Sequence, residues 1–445
     1  MLYRFLKILM RISVEVFYKK IHLRGIENLP HNQPVVLACN HPNSFLDPII
    51  ISVFVKNRLH YLARSDAFNT PFKKWILGII GLVPIYRLQE GADLLHKNED
   101  TFDKCAEILA QNGTIIIFSE GLCIQERRLR KLKKGTARLV FGAETSMNFN
   151  MDLLIVPIGM NYYKPEHFRT DLVINFGKPI KLKEYEDLYK NDKARAINKL
   201  TSDLENKMAA ELLIIDEQKN DALVENLEEI YGKQLLSKNN FSEKKSEKKF
   251  LLSCEIANTI NQAQKNNVSK LEAFKQSVLS YSNTLKKNNL KDYFFWENPI
   301  KQSQKIIFFT QLIEIIIGFP FFVYGLIAHY LPYKISYSLT NKIVKNIEFY
   351  SSVNCSMGTF IFLFYYIIEC CFVFHFTHNY YLVLLFILAL PISGKYALRY
   401  QRLLKKTNGR ASIARLIKKD KQQVESLFAE RNRILEEWEK IKITS

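Results

Sequence analysis

The chain changes its hydrophobic rhythm twice. Up to about residue 180, short apolar runs alternate with segments of helical period. "PVVLACN" (34–40), "RLHYLAR" (58–64), "GTIIIFSE" (113–120), "DLLIVPIGMNY" (152–162) and "DLVINFGKPI" (171–180) read as buried strands bounded by turn residues. "EGADLLHKNEDTFDKCAEILAQNG" (90–113) reads as a helix closed at Gly113. This alternation predicts an α/β layer fold, a mixed sheet flanked by helices, over residues 21–185. From 186 to 300 Lys, Glu, Asn and Leu dominate, which predicts amphipathic helices acting as a cap or spacer, with "LSKNNFSEKKSEKK" (236–249) as a polar linker.

Beyond residue 300 the apolar runs lengthen. "IIFFTQLIEIIIGFPFFVYGLIAHY" (306–330) holds one carboxylate in 25 residues, and "CSMGTFIFLFYYIIECCFVFHF" (355–376) and "YYLVLLFILALPISG" (380–394) are similar. About 20 apolar residues match the hydrocarbon thickness of a bilayer, so 301–398 is expected to be a membrane region. Segments 355–376 and 380–398, joined by "THNY", form a natural hairpin. From Lys395 to Lys406 there are basic residues and no acidic ones, which puts the tail, 399–445, on the cytoplasmic side. Three full crossings would put that tail on the opposite side of the membrane from the residues before 301. Gly318 and Pro320 sit near the middle of 306–330, where a proline removes a backbone donor and bends a helix, so that segment is expected to be re-entrant. Glu314 and Glu369, inside apolar segments, are further functional candidates.

Composition narrows the partners. With 445 residues and 48% hydrophobic positions the chain can bury a real core, which excludes a disordered protein. A formal charge of +19 points to a polyanionic partner, nucleic acid or an anionic membrane, and 31 Phe with 22 Tyr tilt the choice toward lipid. The seven cysteines form no Cys-x-x-Cys pair, so neither a disulfide framework nor a zinc site is expected, and no cofactor or metal is assigned. The first 20 residues are not a secretory signal, because Arg4, Lys7 and Arg11 interrupt the apolar run. Those cations recur opposite Leu2, Phe5, Leu6, Leu9 and Ile12. The pattern describes an amphipathic helix lying in a membrane interface or a terminal helix packed on the domain.

Candidate chemistry begins at "ACNHPNSFLDPIIIS" (38–52). If "PVVLAC" is a strand, His41 stands at its carboxyl end, where open α/β sheets place their ligands. Asp47 then falls in the first turn of the next helix. "SFLD" (44–47) also has the form of a capping box with Ser44 as N-cap, so Asp47 is either a helix cap or the partner of His41. An aspartate there can accept the Nδ1 proton of the imidazole, leaving Nε2 free to take a proton from a hydroxyl.

Three more stretches follow in order: "GLVPIYR" (81–87), "IIIFSEGLCIQERRLRKLKKGTARLVFGAE" (115–144) and "IVPIGMNY" (155–162). With "NHPNSFLDP", they resemble the four sequence blocks of the lysophospholipid and glycerol-phosphate acyltransferase superfamily, over roughly residues 15 to 185. The branch that shares the Asn-His-Pro-Asn form also shares the five residues between His41 and Asp47. The resemblance implies that His41 is the general base, that Asp47 orients and charges it, and that Arg87 holds the acceptor's phosphate. It further implies that Glu120 and Gly121 shape the acceptor site, with Asn40 and Ser119 beside them, and that Pro157 packs near the acyl chain. No covalent enzyme intermediate is implied. The family often has serine near the position of Cys123 and histidine after it, where this chain has Ile124. Cys123 itself reads as a small pocket residue, and "RRLRKLKK" (127–134) as a phosphate or anionic-lipid contact.

The expected activity is membrane-bound transfer of a fatty acyl group to a hydroxyl of glycerol-3-phosphate or lysophosphatidate in phospholipid synthesis. The donor is acyl-CoA or acyl carrier protein, and the catalytic domain faces the cytoplasm. The alternatives are a transferase for another lyso-lipid acceptor and a non-catalytic membrane anchor that retains the fold. Specific nucleic-acid binding is not expected, because no binding module is recognisable.

Overall fold

A computed structural model describes residues 2–86, 98–238, 245–300 and 304–444. Two compact units result. The first joins Met1–Ile214 to Ile343–Ser356, and the second joins Ile215–Lys342 to Met357–Ser445.

The first unit is built on one eight-stranded sheet. Its strands are β1 (Lys20–Arg24), β2 (Val35–Cys39), β3 (Leu59–Arg64), β4 (Leu82–Ile85), β5 (Thr114–Phe118), β6 (Leu154–Tyr162), β7 (Asp171–Phe176) and β8 (Ile180–Lys181), in the order β1-β7-β6-β2-β5-β3-β4 with β8 on β6. Pairing is parallel from β6 through β2, β5 and β3 to β4, while β6 runs antiparallel to β7 and β8. The sheet is mixed, as the alternating pattern predicts, and the five short apolar runs read as strands between residues 34 and 180 are all strands. Around it lie α1 (Leu2–Phe17), α2 (Leu46–Phe54), α3 (Pro71–Ile79), α4 (Asn98–Ala110), α5 (Gly135–Ser146), α6 (Glu186–Asn191) and α7 (Lys193–Ala209). β2 is buried along its whole length, so its residues face both layers, Leu37 and Cys39 toward α2 and Val36 and Ala38 toward α4 and α5. That two-sided burial is why the strand reads as a continuous apolar run.

One boundary differs from expectation. The unit runs past residue 185, because Ala196, Leu200, Leu204 and Met208 of α7 complete the core beneath β6 and α5. In α1, Val14 and Phe17 pack on the domain while Leu2, Phe5, Ile8, Ile12 and Val16 form an exposed apolar stripe. Lys7 and Arg11 turn toward the end of α2, where Lys7 Nζ donates to Val55 O at 2.7 Å and Arg11 lies over the Phe54 ring. A cation beside free carbonyls at a helix C-terminus is favourable.

The second unit is helical: α8 (Asp221–Lys238), α9 (Lys245–Asn266), α10 (Val268–Lys287), α11 (Gln304–Ile343), most of α12 (Ile347–Thr377), α13 (Tyr380–Lys419) and α14 (Lys421–Thr444). Part of the expected linker, 239–244, lies outside the described residues. Helices α11, α12 and α13 are each long and apolar enough to cross a membrane. The break expected in 306–330 is absent, since α11 runs unbroken through Gly318, Pro320 and Pro332. Its contacts explain the tolerance: Gly318 and Gly325 leave room for Tyr396 and the Ser393 backbone of α13. The same contacts define its course. His329 bonds both arms of the α12–α13 hairpin, to Tyr366 at 2.7 Å and Ser393 at 3.0 Å. Toward its N-terminus α11 follows α13 away from the turn, meeting Tyr400 at Ile315 and Thr407 at Gln311. Toward its C-terminus it follows α12 away from the turn, Ser336 lying against Gly358. A helix parallel to the hairpin would approach the turn in one direction; α11 leaves it in both, so it crosses the arms obliquely.

Away from these helices, Arg431 of α14 is 1% exposed and donates to Asp292 (2.8 Å) and to Ile230 O (2.7 Å). Asp292 also accepts from Tyr281 and Trp296. Arg431→Ala leaves that buried carboxylate without its counter-charge and is expected to cost about 3–5 kcal/mol of stability, read as a lowered midpoint in thermal unfolding.

Candidate active site

The carboxyl ends of three neighbouring parallel strands build the site. β2 delivers Asn40 and His41, β5 delivers Phe118 and then the turn Ser119-Glu120-Gly121, and β6 ends at Tyr162. Asp47 comes from the first turn of α2 and has no exposed surface.

Asp47 collects three donors. His41 Nδ1 lies 2.9 Å from Oδ2, the Asn43 backbone N–H donates to the same oxygen at 2.8 Å, and the Tyr162 hydroxyl donates to Oδ1 at 2.6 Å. A carboxylate only accepts, so Nδ1 carries the proton and Nε2 is left with a free lone pair. The imidazole also stacks on Phe118, with ring centroids 3.8 Å apart and planes inclined by 17°. Packing from one face and a hydrogen bond from the edge fix the ring, while its side chain stays 19% exposed.

The capping-box alternative is not realised. Ser44 has φ 44° and makes no side-chain cap; α2 starts at Leu46 after Phe45. What survives of the motif is the reaching-back half, because Asp47 accepts the Asn43 amide instead of leaving it unpaired. Asp47 is thus both the partner of His41 and the anchor of the loop between them.

Glu120 faces inward. It is 8% exposed, and its two oxygens accept the backbone N–H groups of His41 and Arg130, each at 3.3 Å. Burial pushes its carboxyl above the usual range, and those two amides pull part of the way back. Gly121 takes φ 71° at this turn, a conformation that glycine adopts without strain. Ser119 bonds Thr136 at 3.0 Å, and its backbone N–H donates to Cys39 O. Asn40 ties β2 to β6 through two bonds to Met160. Glu120 and Ser119 therefore hold the backbone at the end of β2, Asn40 ties it to β6, and Gly121 makes the turn that follows β5.

Pro157 lies lower in the sheet, registered against Ala38 three residues before His41, with its ring close to Gly177. Arg87 lies outside the described residues. In the basic run, Glu126 bonds Arg128 (3.0 Å) and Arg130 (2.6 Å). Burial works to raise the Glu126 carboxyl, but the two guanidiniums outweigh it and hold the group below its usual value. Lys131, Lys133 and Lys134 remain exposed. Cys123 accepts the Ser44 amide at 3.1 Å, and burial first, then the charge of Asp47, push its thiol up to about 12. A thiol so rarely ionised is no nucleophile at neutral pH. Among the described residues no group of three metal-ligating side chains converges.

Three residues of the site escape motif reading. Tyr162 shares the period of Ile158 and Met160, which put it on the α2 side of β6. Tyr18, buried beside it, accepts from Asn43 Nδ2 at 3.1 Å. Ser352, from the start of α12, bonds the loop between His41 and Asp47. Tyr162→Phe leaves Asp47 Oδ1 without its donor in a closed site, and a cost of about 1–3 kcal/mol is expected, measured by thermal unfolding against the parent.

Residues 20–161 match the family described as Acyltransferase. A chloroplastic 1-acyl-sn-glycerol-3-phosphate acyltransferase of Arabidopsis thaliana is 31% identical over 125 residues, which are 28% of this chain and 33% of that one. Glycerol-3-phosphate O-acyltransferase 2 of Saccharomyces cerevisiae is 29% identical over 112 residues, 25% of this chain and 15% of that one. The chain thus spans a third or less of the length of these two relatives. The crystal structure of the 1-acyl-sn-glycerophosphate acyltransferase of Thermotoga maritima aligns with a TM-score of 0.31 at 16% identity, over 44% of this chain and 79% of that one. With the motif blocks in order inside the family match, residues 20–161 form an acyltransferase-family domain similar to those of the glycerolipid acyltransferases.

Proposed function

We propose that the protein transfers a fatty acyl group from a thioester donor, acyl-CoA or acyl carrier protein, to a hydroxyl of glycerol-3-phosphate or lysophosphatidate. The observation that carries this reading is the His41–Asp47 pair, 2.9 Å apart at the carboxyl edge of the sheet with Asp47 wholly buried and His41 partly open. The relatives are named for these two acceptors, which supports the same substrate class.

In this mechanism His41 Nε2 takes the proton of the acceptor hydroxyl as its oxygen attacks the thioester carbonyl. A carbon–oxygen bond forms, and the tetrahedral intermediate collapses with cleavage of the carbon–sulfur bond. The departing thiolate receives the proton from the imidazolium, so the products are an ester and a free thiol. Asp47 holds the tautomer and stabilises the imidazolium between the two steps.

His41→Ala is expected to lower acyl transfer at least a hundredfold, since general-base assistance contributes about 10²–10⁴-fold, in a protein that still folds but with a lowered unfolding midpoint, because buried Asp47 loses one of its three donors. Asp47→Asn is expected to lose nearly as much. Labelled acyl-CoA with each acceptor gives the measurement. Activity of the alanine variant within tenfold of the parent rejects the mechanism, and a parent inert toward glycerol-3-phosphate and every lyso-lipid favours a non-catalytic anchor.

The reading of topology is that α12 and α13 cross as a hairpin with both ends on the cytoplasmic face, and that α11 does not add a third crossing. Its support is the oblique course of α11 and the basic start of the tail at Lys395. Cysteine placed at Asn379, in the hairpin turn, is expected to react with a membrane-impermeant reagent from outside intact cells. Cysteine at Tyr337 is expected to react only after permeabilisation, and its labelling from outside rejects the arrangement.

A further inference from the structure

Ile343–Ser356 belongs to the same compact unit as the sheet, although nearly 130 residues separate it from the rest of that unit. Within it, Ser352 of α12 has no exposed surface and contacts the loop that spaces His41 from Asp47. Its hydroxyl donates to Asn43 O at 2.7 Å and accepts the Leu46 N–H at 3.1 Å. Leu46 is the first residue of α2, and its N–H is shared between Ser352 and the Asn43 carbonyl 3.2 Å away, so the hydroxyl bridges and reinforces the turn that opens the helix. Neighbours on the same helix are also engaged: Ser351 donates to Pro165 O, and Cys355 is buried in the core that holds Tyr18, Leu46 and Tyr162.

The braced loop is the one with most to lose from motion. Asn43 gives its amide to Asp47 and its side chain to Tyr18, and Ser44 adopts a left-handed conformation unusual for serine. A shift of the loop changes the direction in which Asp47 presents its carboxylate to His41.

We propose that Ser352 is a positioning residue for the catalytic pair: the start of an apolar, membrane-type helix closes the loop from His41 to Asp47 and sets its geometry. The inference rests on the reading of His41 as base and Asp47 as its partner. It goes beyond that reading because no residue of the four motif blocks supplies this contact.

The test uses the full-length chain in lipid nanodiscs, as parent, Ser352→Ala and Ser352→Thr. Ser352→Ala is expected to lower kcat about tenfold, with KM for donor and acceptor within twofold and the unfolding midpoint little changed. Ser352→Thr, which restores the hydroxyl, is expected to recover kcat to within threefold of the parent. Hydrogen exchange in the peptide spanning Asn43–Asp47 reads the brace without catalysis, and is expected to be at least tenfold faster in Ser352→Ala. If the alanine variant does not fold, Ser352→Cys, which keeps the volume and weakens both bonds, carries the same comparison. Unchanged exchange, or a kcat within twofold of the parent, overturns the proposal. Faster exchange in Ser352→Ala than in a parent that itself transfers no acyl group upholds the brace and rejects the acyl-transfer reading instead.

Discussion

The buried carboxylate of Asp47 is the constraint on which the site turns. An ion removed from water costs several kcal/mol unless its lone pairs are satisfied. Here the satisfaction comes from three places: the imidazole at 2.9 Å, the backbone at Asn43 and the phenol of Tyr162. Each of these donors is held by something else. His41 lies on Phe118, Asn43 is fastened to Tyr18 and Ser352, and Tyr162 ends the strand that Asn40 ties to β2. Moving any one of them leaves a charge unpaired in a dry environment, so the geometry is held by the cost of its alternatives.

Parallel order in the sheet makes that convergence possible. β6, β2 and β5 are adjacent and run the same way, so their carboxyl ends open on one edge and present Tyr162, His41 and the Glu120 turn together. Glu120 completes the arrangement from beneath. By accepting the amides of His41 and Arg130 it satisfies backbone donors that the ends of β2 and of the following loop leave unpaired. An inward carboxyl of this kind shapes the site through the backbone, without needing to touch what binds there.

How much of this could be read from residues alone follows sequence distance. His41 and Asp47 are six apart, the strands are continuous apolar runs, and the turn at Gly121 announces itself by glycine; all were legible. Ser352 was not, since its partners lie 306 and 309 residues away and a serine in an apolar helix carries no local sign of them. The reading of Ser44 as a cap failed because capping boxes are judged from spacing, whereas here the backbone turns left-handed before α2 begins. The break expected at Pro320 failed for a related reason. An interior proline costs a helix about 3 kcal/mol, yet α11 continues through Pro320, flanked by apolar residues and with Gly318 and Gly325 packed closely on α13. Local propensity lost to tertiary contact in both cases.

The left-handed Ser44 links these points. Non-glycine residues in that region cost on the order of 1–2 kcal/mol, so the conformation persists only where its surroundings over-determine it. The five residues between His41 and Asp47 must leave the sheet, reverse and enter α2 while returning the aspartate to the edge of the imidazole. A left-handed residue in the middle makes that reversal short. Its amide is taken by Cys123, the residue before it is gripped by Tyr18 and Ser352, and the residue three later carries the charge that all of them surround. The strain is therefore offset by contacts drawn from the segments that follow β5 and α1 and from α12. The first turns of α12 are therefore part of what holds the loop in this form, although none of the four motif blocks lies there.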